Sequence, residues 1–161
     1  MNAASSAFTG APAAIIGRAA RLAPGRNLAL IVGLDRSADD DPAGHDYLNL
    51  SLALSQRLLD TPHRQVALAV PQALDDLLAG DGPLLVDHIE LLFDPLLQID
   101  PLRGLKLASR RRRLLVVWPG RLDDGGALIY AEPGHPEYRR YDPADLADVA
   151  VLDAAALRQE E

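Results

Sequence analysis

An aspartate at the end of an apolar run is the first feature of this sequence that could do chemistry. The run is LLVD at residues 84–87, and Glu90 follows the aspartate by three positions. In nucleotide sites, an acid at the carboxyl end of a buried strand holds Mg²⁺, and a nearby glutamate can position a nucleophile. Asp87 is therefore a candidate catalytic and Mg²⁺-binding residue, and Glu90 a candidate catalytic residue. Because apolar strands that end in an acid are common in α/β proteins, a purely structural role stays open.

The loop after the first apolar run is where a phosphate-binding loop would lie. Such a loop reads G-x-x-x-x-G-K-[ST], so that backbone amides surround the phosphates and a lysine reaches the terminal ones. Here the sequence is GLDRSADDDPAGHDYL, in which no lysine occurs and no glycine follows Gly33 until Gly44. Five aspartates face only Arg36, which predicts repulsion of a polyphosphate. Gly33 remains a candidate nucleotide contact. The rest of the loop is either a solvent-exposed surface loop or a cluster of aspartates that binds a divalent cation.

Four consecutive arginines, residues 110–113, precede another apolar run. They could contact phosphate as an arginine finger does, or they could end a helix whose dipole favours cations at its C-terminus. The four histidines are scattered and share no i, i+4 spacing, so no histidine metal site is expected. The chain has no cysteine, which excludes disulfides, thiolate zinc sites and a cysteine nucleophile.

Apolar runs define the elements that would position these residues. Four of them predict strands, at residues 27–33, 47–51, 83–87 and 114–118. Shorter runs predict two more strands, at residues 127–131 and 149–152. Near-continuous apolar runs are typical of strands covered on both faces, as in a parallel sheet.

Helical patterns lie between these runs. Helices are predicted over residues 53–60, over 71–78 with Pro71 in the first turn, and over 94–110. The alternation predicts an α/β fold with a mainly parallel sheet flanked by helices. Only about a dozen residues separate the first two strands, whereas a phosphate loop with its helix needs roughly twenty. The fold is therefore expected to be shortened after the first strand.

Length and composition bound the class of protein. The chain has 161 residues, 48% of them hydrophobic and 24% charged, which fits one globular domain over residues 25–155. Residues 1–24 are expected to form a disordered tip and a short amphipathic helix rather than a signal peptide, and 156–161 a C-terminal tail. No apolar run approaches the ~18 residues of a membrane span, so we expect a cytoplasmic protein. The net charge of −7 argues against generic duplex binding but leaves a local basic patch open.

Three segments together resemble the BrxF family of type 3 BREX phage-defence systems. They are YLNLSLALSQRLLDTPHRQ at residues 47–65, LLVDHIELLFDPLLQIDPLRGLKLASRRRRLLVVWPG at 84–120 and LIYAEPGHPEYRRYD at 128–142. Their order and spacing also match, and the similarity covers most of residues 27–142.

This resemblance implies a small P-loop NTPase-like protein that acts with the other type 3 BREX proteins, and with DNA through them, away from any membrane. By the same similarity Asp87 matches the Walker B acid. Arg110 and Arg112 fall where the family has a basic pair before its fourth strand, as phosphate or partner contacts. Family members carry a glycine-rich loop ending in Gly-Lys-Ser or Gly-Lys-Thr, and the residues after Gly33 do not match it.

Three hypotheses follow. The first is a P-loop-fold scaffold or regulatory subunit of the defence system that has lost ATP binding, with no cofactor expected. The second is an active ATPase of the same system with an unconventional phosphate loop, which would use ATP and Mg²⁺. The third is a DNA-contacting accessory module that uses residues 110–113 with Arg139 and Arg140.

Overall fold

A five-stranded parallel sheet forms the centre of the protein. The computed structural model describes residues 16–17, 27–34 and 46–159. The strands of this sheet, in chain order, are β1 (Leu28–Val32), β2 (Asp46–Asn49), β3 (Leu84–Asp87), β4 (Leu114–Trp118) and, later in the chain, β8 (Ala150–Asp153). Their order across the sheet is β2-β3-β4-β1-β8, and every neighbouring pair is parallel. The prediction of a mainly parallel sheet built from the four main apolar runs is confirmed.

A second, smaller sheet is antiparallel and follows β4. It consists of β5 (Arg121–Leu122), β6 (Leu128–Tyr130) and β7 (Arg139–Tyr141), in that order. The sequence predicted β6 but assigned no strand to the proline-rich segment that contains β7. Residue 139 lies beyond both prolines of that segment, so its backbone is free to pair with Tyr130.

Among residues 46–159, four helices complete the fold. They are α1 (Leu50–Arg57), α2 (Val66–Leu77), α3 (Pro101–Ser109) and α4 (Ala154–Gln159). Single 3₁₀ turns lie at His63–Gln65, Glu90–Phe93, Pro95–Leu97 and Pro143–Leu146. Helix α4 extends the ordered domain past residue 155, because Leu157 is buried against the sheet. Among the described residues, no helix is both long and apolar enough to cross a bilayer.

Side chains of β1 alternate between two apolar layers, which explains why all five of its residues are buried. Leu28, Leu30 and Val32 point into the larger layer, which contains residues of α1, α2, α3 and the small sheet. Ala29 and Ile31 point into the smaller one, which contains Ile16, Ala154 and Leu157. Ile16 and Gly17 are helical; the rest of the predicted N-terminal helix, and the acidic loop at 35–45, lie outside the described residues.

The second strand is shorter than predicted because a helix cap ends it. The side chain of Asn49 accepts a hydrogen bond from the Leu52 amide at 3.1 Å, so α1 begins at Leu50. Leu50, the first residue of the helix, is consequently buried in the core, while Leu52 is 55% exposed. The alternating leucines, which predicted a strand through residue 51, continue into a helix.

Helix α2 begins five residues before the predicted start. Pro71 lies inside it rather than in its first turn. A proline there removes one backbone hydrogen bond. Val66 and Val70, on the turn before it, are both buried, and that burial offsets the loss.

The helix predicted over residues 94–110 begins only at Pro101. Gln98 adopts a left-handed conformation with φ of 53° and interrupts the chain after the 3₁₀ turn Pro95–Leu97. Asp100 then caps α3 by accepting from the Arg103 amide at 3.2 Å, with Pro101 at the first helical position.

A buried tyrosine joins the small sheet to the start of α3. Its ionisation makes the free energy of unfolding depend on pH in the alkaline range. The Tyr141 hydroxyl donates to Asp100 Oδ1 at 2.8 Å. Burial, and then the neighbouring Asp100 carboxylate, raise the pKa of Tyr141 well above its ordinary 10.0. The folded protein therefore keeps this hydroxyl protonated at a pH at which the unfolded chain ionises it.

We expect the free energy of unfolding to fall as the pH rises above about 10, the ordinary tyrosine pKa. In Tyr141→Phe this fall should be smaller, since the substituted ring has no proton to lose. Urea unfolding at several pH values between about 9 and 11 measures both slopes. Equal slopes for the parent and Tyr141→Phe would contradict the expectation.

Candidate functional site at the carboxyl edge of the sheet

A cleft of about 390 Å³ lies at the carboxyl ends of β1, β3 and β4. Its lining residues are Gly33, Leu34, Asp87, His88, Glu90, Val117, Trp118, Pro119 and Gly120. Ligands of open α/β sheets bind at this edge. The structure thus brings together the predicted candidates Gly33, Asp87 and Glu90, although β4 separates β1 from β3.

Asp87 is the buried acid of the cleft. Its side chain is only 8% exposed. Oδ1 accepts a hydrogen bond from the backbone amide of His88 at 2.9 Å, and the Tyr47 hydroxyl lies 3.4 Å from Oδ2. The carboxylate is therefore held in one orientation at the end of its strand, as a metal-positioning acid would have to be.

His88 places an imidazole between the two acids of the cleft. Its Nε2 lies 3.7 Å from Asp87 Oδ2, and its Nδ1 lies 3.9 Å from Glu90 Oε1. Its backbone has φ of 52°, a left-handed conformation that is uncommon outside glycine and costs free energy. No local sequence pattern indicates this conformation, because only the fold brings residue 88 next to Ser51 at the start of α1.

The loop that carries Glu90 is attached to the first turn of α1. The Ser51 amide donates to the carbonyl of His88 at 2.8 Å, and Ser51 Oγ accepts from the Leu91 amide at 3.0 Å. These two bonds anchor the chain on both sides of Glu90. The carboxylate of Glu90 itself remains 46% exposed at the mouth of the cleft.

The end of β4 also lines the cleft, through residues 117–120. The indole Nε1 of Trp118 donates to the carbonyl of Ile129 at 3.1 Å, which joins β4 to the small sheet. A Cβ on Gly120 would lie 1.8 Å from the same carbonyl oxygen, so only glycine fits this position. Gly33, on the opposite wall, needs glycine for another reason, since its φ is 79°.

The described lining residues provide carboxylates but no lysine or arginine. Asp87 and Glu90 are acidic, and His88 is the single basic group. Within the described part of the chain, no group of three or more histidines or acids is arranged to hold a metal ion. Asp87 could hold Mg²⁺ only together with ligand phosphates and water.

The predicted arginines lie elsewhere. Arg112 is buried at the amino edge of the sheet, where it bonds to the carbonyls of Gly82 and Ala79 at 2.7 and 2.8 Å. Its Nη2 also bonds to Asp46 at 3.0 Å. Arg110 is exposed near the C-terminus of α3. Neither residue lines the cleft, and their assignment as phosphate or partner contacts stays a prediction.

Comparison with known proteins identifies no relative: no family model, no curated protein and no solved structure matches the chain.

Proposed function

We propose that this protein is a BrxF-like subunit of a type 3 BREX defence system that retains the P-loop fold as a scaffold or regulator without binding ATP. Its partners in this proposal are other proteins of the same system, and it reaches DNA through them in the cytoplasm. The three segments that resemble the BrxF family carry the assignment to the system. The cleft at the carboxyl edge carries the proposal about nucleotide.

The strand order supports a P-loop NTPase-like fold. β4 lies between β1, after which a phosphate loop would follow, and β3, which ends in the Walker B-like Asp87. The order also differs from the two common doubly wound orders, in which the ligand lies at another switch point.

The observation that argues most directly against ATP binding is the charge of the cleft. Phosphates at the Gly33 wall would face Asp87 and Glu90, with no lysine or arginine among the described lining residues. The segment after Gly33 adds aspartates and no lysine. Two like charges about 4 Å apart repel by about 4 kcal/mol at an effective dielectric constant near 20, so a polyphosphate needs compensating lysines or arginines, which the described lining residues do not provide.

One observation favours the rival hypothesis of an active ATPase. Asp87 is buried, oriented and adjacent to the wall formed by Gly33, which is the arrangement that a functional Walker B acid requires. In that case the missing lysine would have to come from a neighbouring subunit. The two hypotheses differ in whether defence depends on the charge of Asp87.

A phage-plating assay of the complete defence locus separates them. Asp87→Asn removes the charge but keeps an oxygen that can accept from the His88 amide, and Asp60→Asn is the control because Asp60 is exposed in the turn after α1. A scaffold predicts that both variants restrict phage as the parent does. Loss of restriction in Asp87→Asn alone, with the protein still folded, would favour the ATPase.

The assignment to the system has its own test. Genes for a large ATPase, a methyltransferase and an alkaline-phosphatase-like protein should lie beside the gene for this chain, and the chain should co-purify with one of their products. Neighbouring genes of another kind would overturn the assignment.

A further inference from the structure

The segment from α3 to the end of β4 is the most basic part of the chain. No aspartate or glutamate occurs between Asp100 and Asp123, yet this stretch contains seven of the 16 lysines and arginines. The remainder of the chain is correspondingly more acidic than the net charge of −7 indicates. Charge is therefore separated along the sequence, and the fold decides where the basic side chains lie.

Helix α3 turns two of these cations, Arg103 and the C-cap residue Arg110, toward solvent. Leu102, Leu105 and Ser109 form its buried face. Arg103, Leu107 and Arg110 are exposed and recur at i, i+4 and i+7, so they share the opposite face. From Arg103 to Arg110 the helix rises about 10 Å, which is a distance of about three phosphates of one nucleic-acid strand.

A groove of about 350 Å³ between α3 and β7 continues this basic face. Its basic lining residues are Arg103 and Lys106 from α3 with Arg139 and Arg140 from β7. The two acids of the lining already make internal hydrogen bonds. Asp100 accepts from the Tyr141 hydroxyl at 2.8 Å, and Asp145 accepts from the Asp142 amide at 3.0 Å.

Ion pairing distinguishes two of the four groove cations. Arg140 bonds to Asp123 and Asp142, both at 3.1 Å, and Lys106 pairs with Asp148 at 3.0 Å. In the described part of the chain, by contrast, neither Arg103 nor Arg139 has a carboxylate within 4.0 Å. Arg110 and Arg111, which directly follow α3, likewise have no carboxylate within 4.0 Å among the described residues.

We propose that, beyond reaching DNA through its partners, this protein itself binds the phosphate backbone of a nucleic acid, in this groove and along the outer face of α3. A guanidinium presents a planar fork of donors that matches phosphate oxygens in two-point contacts, and the unpaired cations here are arginines. A row of cations along a helix matches a polymer of regularly spaced phosphates, and contacts to phosphates alone carry no sequence information. Binding is therefore sequence-independent, and it does not depend on the cleft at Asp87.

This surface differs from the third hypothesis above, which used residues 110–113 with Arg139 and Arg140. Arg112 is excluded because it is buried and bonded at the amino edge of the sheet. Arg140 is already paired with acids. Arg139 is kept from that hypothesis, and Arg103, which lies 36 positions before it in the sequence, joins it as a central contact because the fold brings α3 beside β7.

Fluorescence anisotropy with a labelled mixed-sequence oligonucleotide, single-stranded and then as its duplex, tests the proposal. For about four neutralised phosphates, the logarithm of the affinity should fall against the logarithm of the salt concentration with a slope of about −3. Arg103→Ala combined with Arg139→Ala should reduce this slope by about 1.5 to 2. The variant that combines Arg103→Lys with Arg139→Lys should keep the slope of the parent, because both positive charges remain.

Arg64→Ala is the matched control, because Arg64 is exposed in the connection between α1 and α2 and likewise has no carboxylate within 4.0 Å among the described residues. Its slope should equal that of the parent. The proposal is overturned if the parent does not bind at low salt, or if Arg64→Ala weakens binding as much as the double alanine variant. It is also overturned if polyglutamate displaces the oligonucleotide as effectively as unlabelled nucleic acid, which would indicate an acidic protein partner.

Discussion

Replacing Phe93 with alanine should lower the free energy of unfolding by about 3 to 5 kcal/mol, since this is the usual cost of removing a core aromatic ring. The ring is 1% exposed. It stacks on Tyr130 with centroids 3.8 Å apart and meets the edge of Trp118 at 5.5 Å. Phe93 therefore joins the 3₁₀ turn after β3 to the end of β4 and to the small sheet, and the variant would leave a cavity between all three.

Urea unfolding of Phe93→Ala measures this loss, and Leu68→Ala provides the control. Leu68 is a large apolar residue on α2, but it is 83% exposed, so its replacement should change the stability by less than about 0.5 kcal/mol. A loss below about 1 kcal/mol for Phe93→Ala would mean that the ring does not pack in the core.

The second large effect is expected at the opposite edge of the sheet. Arg112→Ala should cost about 3 kcal/mol, because hydrogen bonds to a charged group are worth about 1.5 to 3 kcal/mol each. Two of these bonds go to the carbonyls of Ala79 and Gly82, in the turn between α2 and β3. The third goes to Asp46 at the start of β2, so one side chain joins the residues before β4 to two other segments at the amino edge.

Arg110→Ala is the matched control for this experiment. Arg110 is exposed, and no carboxylate lies within 4.0 Å of it in the described part of the chain. Its loss should change the free energy of unfolding by less than about 0.5 kcal/mol. Similar values for the two arginine variants would show that Arg112 does not hold the amino edge together.

Much of the sheet could be predicted from sequence because its three central strands, β3, β4 and β1, are covered on both faces. Residues 114–118 are apolar without interruption, and the observed bounds of β4 match the prediction. Helix starts were less accurate, since they depend on side-chain caps and on single backbone conformations. Asn49 caps α1 earlier than the leucine pattern indicated, and Gln98 at φ of 53° delays α3.

The candidate site was predictable only where it follows from strand ends. Asp87 and Gly33 end apolar runs, so their meeting at the carboxyl edge could be expected from a parallel sheet. The position of His88 between two carboxylates depends on its left-handed backbone, which no local pattern indicates. The role of Arg112 was equally hidden, because four consecutive arginines do not reveal which one turns inward.

Titration calorimetry with ATP and Mg²⁺ tests the central claim most directly. Loss of the phosphate-loop lysine and of two amide contacts removes charge-assisted hydrogen bonds worth about 1.5 to 3 kcal/mol each, so affinity should fall by at least about 10³-fold. We therefore expect no measurable binding at millimolar ATP for the parent chain or for Asp87→Asn. Micromolar affinity in the parent that disappears in Asp87→Asn would contradict the scaffold and establish a nucleotide site at the carboxyl edge.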